Sequence, residues 1–101
     1  MTRTLIASVT ICAALYAPAA YANPIERACL QSDRPAATRA LCRCIGEAAD
    51  RTLTSADMRL GARFFSDPEE AQRVQLSDSP RNEEIWTRWR AFGELAEAMC
   101  R

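Results

Sequence analysis

The chain has 101 residues, 13 basic and 13 acidic side chains, 5 cysteines and no histidine. The charge balance removes the electrostatic case for a nucleic-acid partner, because such binding rests on neutralising phosphates. The missing histidine removes the commonest general base, the commonest metal ligand and every Ser-His or Cys-His nucleophile pair.

The first 22 residues carry the strongest signal. Arg3 supplies a positive start, and Leu5 to Tyr16 is an uncharged, mostly apolar run. Pro18 ends the run, and Ala20 and Ala22 place small residues where a signal peptidase needs them. This layout predicts a secretory signal peptide over 1–22, cleaved after Ala22, with a cut after Ala19 as the competitor. The apolar run is too short for a membrane anchor, since a bilayer core takes about 20 residues to cross. Ile11 stands before Cys12 where a lipoprotein would need a small residue, so Cys12 is expected to leave with the signal. Residues 23–101 then form one small domain with no transmembrane segment, carrying one more acid than base. A domain of this size buries only about 60% of the surface its unfolded chain exposes, so its core alone gives marginal stability. The expected location is periplasmic or secreted.

Helix signals recur through the domain, and strand signals are missing. Asn23-Pro24-Ile25-Glu26 reads as a helix start, with Asn as N-cap and Pro at the first helical position. Ser32-Asp33-Arg34-Pro35 reads as a turn. A second helix is predicted from about Ala36 to Leu53, with Leu41, Ile45, Ala48 and Thr52 on one face. Thr54-Ser55-Ala56-Asp57 resembles a capping box, with Asp in place of Glu. It opens a third helix through Phe65, with Met58, Gly61, Ala62 and Phe65 inward and Arg59 and Arg63 outward. Asp67-Pro68-Glu69-Glu70 starts a short fourth helix ending near Leu76, with Asp67 as N-cap and the acids complementing the dipole. The last helix, from about Pro80 to Cys100, has the clearest stripe: Ile85, Trp89, Phe92, Ala96 and Met99. The fold class is therefore all-α, a small disulfide-linked bundle of four to five short helices.

Four cysteines remain after cleavage: Cys29, Cys42, Cys44 and Cys100. An even count in a short exported chain reads as two disulfides. Cys42 and Cys44 lie about 160° apart around the second helix and do not face each other. One should pair with Cys29 and the other with Cys100. An antiparallel hairpin about Asp33 and Arg34 brings Cys29 nearer the level of Cys42, which favours Cys29–Cys42 and Cys44–Cys100. The swapped pairing stays open, because connectivity is not readable from sequence alone.

The alternative for Cys42-Arg43-Cys44 is thiol–disulfide exchange, with the neighbouring arginine favouring a thiolate. Against it, the pair lies mid-helix, two other cysteines can consume it, and no thioredoxin-like βαβ pattern accompanies it. Four thiolates would suit zinc in number, but oxidation competes and no C-x-x-C is present. No catalytic residue, metal ligand or cofactor is assigned.

Ile85-Trp86-Thr87-Arg88-Trp89-Arg90 interleaves aromatics with arginine. Trp89 belongs to the core stripe, Trp86 sits at its edge, and Arg88 and Arg90 are expected in solvent. A tryptophan left exposed would mark a contact surface, so Trp86 and Arg90 are candidates for contact with a protein partner. Phe64 and Phe65 cannot both point the same way, so Phe64 is expected to pack against the fourth helix, with surface contact as the lesser candidate role. Glu69-Glu70 and Glu83-Glu84 are first-turn acids serving the helix dipole rather than acid–base pairs.

Residues along the whole mature chain resemble a family of small uncharacterised secreted bacterial proteins, often labelled "arginine transporter". The resemblance rests on Cys29-x12-Cys42-x-Cys44, Ala62-Arg63-Phe64-Phe65-Ser66-Asp67-Pro68, Glu70-Ala71-Gln72-Arg73-Val74, Arg90-Ala91-Phe92-Gly93 and Cys100. It implies a disulfide-bonded exported protein. A chain too small for a two-lobed solute receptor could serve uptake only as an accessory that meets a transporter. The leading expectation is a non-enzymatic binding or interaction module.

Overall fold

A computed structural model describes residues 23–101; the expected signal peptide lies outside the described residues. Five helices follow in order: α1 Pro24–Gln31, α2 Arg39–Thr52, α3 Ser55–Ser66, α4 Pro68–Gln75 and α5 Pro80–Met99. No strand occurs among the described residues. The protein is an all-α bundle. Its packing neighbours close a ring, α1 against α2, α2 against α5, α5 against α4, α4 against α3, and α3 back against α1.

Most helix starts are set by local chemistry. The Asn23 side chain accepts from the Glu26 N–H at 2.9 Å, and its amide group donates to the Gly46 carbonyl at 2.7 Å. One residue therefore caps α1 and fastens it to α2. The α1–α2 contact is close, because a Cβ on Gly46 would stand 2.9 Å from the Glu26 Cβ. Glycine is the residue that permits this approach. Helix α2 starts three residues later than predicted, at Arg39. Thr38 is the reason: its hydroxyl accepts from the Leu41 N–H at 3.2 Å and competes with helix upstream. The α3 capping box is complete, with Thr54 and Asp57 exchanging hydrogen bonds of 3.1 Å in both directions.

The start of α4 departs from expectation. Asp67 occupies the N-cap position, but its side chain makes no capping bond. Its carboxylate instead accepts from Arg73 at 3.4 Å, in the last turn of the helix. Pro68 starts α4 without that cap, because its ring already holds the backbone at a helical φ and it has no N–H to satisfy.

The core is formed by Ile25, Ala48, Ala49, Leu53, Met58 and Phe92, with Ile45, Phe65, Trp89, Leu95, Ala96 and Met99 packed around them. Ile25 is fully buried, so the eight-residue α1 inserts one branched side chain at the centre of the ring. Trp89 bridges to α3, with its ring edge-on to Phe64 and its centroid 5.1 Å away. The Phe92 ring centroid lies 4.9 Å from that of Trp89, with the two rings tilted. Gly61 accommodates the indole: a Cβ there would collide with the Trp89 ring and stand 3.1 Å from the Ile25 Cδ1.

Candidate functional site

The cysteines occupy both flanks of α2. Cys29 is bonded to Cys42, with Cα atoms 5.5 Å apart, and Cys44 to Cys100, with Cα atoms 5.7 Å apart. Helix α2 is thus joined covalently to α1 on one side and to the end of α5 on the other. Cys42 is fully buried, whereas Cys44 and Cys100 are half-buried. Cys42 and Cys44 do not bond to each other. Each of the four thiols from residue 23 onward is consumed in a structural link, and among the described residues no group of three or more Cys, Asp or Glu side chains is placed to hold a metal.

The three candidate contact residues separate. Trp86 is half-buried and Arg90 exposed, four positions apart on one face of α5. Phe64 does not join them. It is only 7% exposed and packs against Trp89, so the surface-contact expectation for Phe64 is corrected to core packing. The physical reason is that α3 turns both faces inward: Phe65 meets the apolar core while Phe64 meets the indole.

A second arrangement was not legible in the sequence. A cleft of about 540 Å³ opens between α3, α4 and α5. Leu60, Val74 and Ile85 contribute its apolar part, and Arg59, Arg63, Arg81 and Arg88 its guanidinium groups. At one end Arg88 grips Asp57 with two hydrogen bonds, Nε to Oδ2 and Nη2 to Oδ1, the latter 3.0 Å. Asp57 is 4% exposed, whereas the Arg88 side chain is 36% exposed. Arg88 is therefore not the free solvated side chain expected from the sequence. The hydrogen bond from Arg88 holds the Asp57 carboxyl below its usual range; burial opposes this, and the Thr54 N–H and the Arg88 charge assist it. Arg63 Nε is paired with Glu70 at 3.1 Å. Arg59 and Arg81 are exposed and, among the described residues, have no carboxylate within bridging distance.

The sequence held one half of this signal, since Asp57 was identified as a capping residue. Nothing in its pattern pointed to a partner 31 residues away on α5. Two further side chains stand out at the surface: Leu76 is 79% exposed at the end of α4, and Leu30 is 43% exposed in α1. Among the described residues no helix is long and apolar enough to cross a membrane. Comparison with protein-family models, curated proteins and solved structures finds no match.

Proposed function

We propose that the chain is a small exported, non-enzymatic binding module that acts through a helical surface presented on a disulfide-braced frame. The observation that carries this reading is the cysteine arrangement: both bonds are spent on fixing helices to one another, and no thiol of residues 23–101 is left for chemistry. Disulfides of this kind persist in oxidising compartments, which agrees with the signal-peptide pattern of residues 1–22 and supports a periplasmic or secreted location. A partner protein is the natural ligand for such an object, because a braced surface loses little entropy on binding. The family resemblance adds one narrower proposal, an accessory role in arginine uptake, for which calorimetry with arginine is the test.

The experiment is mass spectrometry of the protein recovered after export, intact and after non-reducing digestion, followed by thiol titration in mild reductant. The expected result is a chain beginning at Asn23, four hydrogens lighter than the reduced form, whose bonds resist the reductant. A free thiol, or a mixed disulfide involving Cys42 or Cys44, would replace this reading with thiol–disulfide exchange.

A further inference from the structure

The cleft between α3, α4 and α5 combines apolar surface with four arginines, Arg59, Arg63, Arg81 and Arg88. Each guanidinium carries five N–H donors and no acceptor. Asp57 engages two of those on Arg88, and Glu70 engages the Nε of Arg63. Among the described residues, the remaining N–H groups of both, and all those of Arg59 and Arg81, have no carboxylate within bridging distance. Of the acids along the cleft, Asp57 already has its acceptors occupied, and Glu84 acts on Arg88 through its charge without a hydrogen bond, which leaves Arg59 and Arg81 as the guanidinium groups most open to an occupant. An occupant must therefore bring acceptors, and carboxylates match a guanidinium fork best.

The cleft also has length and an apolar part. Its walls run from Ala56 to Arg63 on α3 and from Arg81 to Arg88 on α5. At 1.5 Å per residue each wall is about 10 Å long, which matches about three residues of extended chain. Leu60, Val74 and Ile85 supply contact for an apolar side chain between the charged groups.

We propose that this arginine-lined cleft docks an extended acidic segment of a partner protein, carboxylates on Arg59, Arg81 and the outer N–H groups of Arg88, with an apolar side chain between them. The proposal rests on the binding-module reading and assigns it a surface and a partner chemistry. The Asp57–Arg88 pair acts as a positioning element, holding one guanidinium in a fixed direction before the partner arrives. Docking through pre-placed donors keeps the ordering cost of binding low.

The test is a two-dimensional NMR titration of the oxidised exported protein with three probes. One is a terminally blocked peptide alternating glutamate and leucine, the second its glutamine counterpart, and the third inorganic phosphate. The expected result is saturable binding of the glutamate peptide, with shifts confined to α3 and α5 and to the Arg59 and Arg81 side-chain signals. The glutamine peptide should bind about tenfold more weakly, and the Arg59→Gln/Arg81→Gln protein should lose a similar factor, the scale of one charge-assisted contact. Both arginines are exposed, so the double variant is expected to fold. Absence of saturable binding overturns the proposal, and so does phosphate binding as tightly as the peptide, which would mark a simple anion site. Shifts centred on Trp86, together with loss of binding in Arg90→Gln, would overturn the cleft while leaving the binding-module reading intact. Free thiols in the starting protein would undermine that reading itself.

Discussion

The two sides of α5 are held by different physics. Toward α2, the contact is covalent and apolar: Cys44–Cys100 closes the end of α5, and Ala48, Ala49 and Phe92 fill the space between. Toward α3 and α4, the contact adds to the shared core a half-exposed arginine on a buried carboxylate, an indole seated on Gly61 and edge-on to Phe64, and a single buried α4 side chain, Val74. Small side chains on α2, Ala48 and Ala49, lie buried in the core, whereas α3 and α5 leave a cleft lined by arginines. The bundle is braced where it needs stability and open where a partner could enter. A small domain that cannot earn much from its core can afford the open side only because the other side is tied covalently.

That contrast can be broken most severely at the brace. Replacing Cys44 and Cys100 together by Ala should cost about 4 kcal/mol by chain entropy, against about 3 for the shorter Cys29–Cys42 loop. Denaturant unfolding of both double variants checks the order, and equal losses would contradict it. Next in size is the centre of the ring. Ile25→Ala should cost about 3 kcal/mol, because a fully buried branched side chain leaves a cavity behind. Because Ile25 also backs Gly61 beneath the indole, the tryptophan fluorescence of the native state should change with it.

The open side responds to pH. Asp57→Asn should cost about 2 kcal/mol, the scale of hydrogen bonds to a charged group, and leave Arg88 without its partner. The Asp57 carboxyl is held below its unfolded value, so its contribution is fully present above that unfolded value. It is lost as pH falls through the still lower folded value. Stability of the parent protein should therefore decline below about pH 4, and the Asn variant should lack this part of the decline. Two parallel curves would show that Asp57 and Arg88 do not interact as described. The smallest effect belongs to the exposed Arg63–Glu70 pair, where Glu70→Gln should cost less than about 1 kcal/mol. Raising salt should shrink that difference further.

Local features were readable in advance because they involve residues within a few positions of each other. The Asn23 cap and the Thr54–Asp57 box each satisfy donors at a helix start with neighbours in sequence, and Pro80 removes a donor at the first position of α5. The stripe from Ile85 to Met99 identified the buried side of α5 because a helix repeats its face every three to four residues. Cysteine number and the hairpin between α1 and α2 favoured the bonds present in the structure. The late start of α2 was less visible, since Thr38 had to prevail over a helix-compatible Ala36-Ala37.

Sequence by itself thus determined the kind of elements, most of the faces they bury and the number of covalent links, and it favoured the pairing that joins them. Tertiary structure alone decided which arginine meets which carboxylate, that Phe64 turns inward with Phe65, and that α3, α4 and α5 leave a cleft. The reason is range. Caps and helix faces are set by atoms a turn apart, whereas the Asp57–Arg88 pair and the cleft around it exist only after five helices close their ring.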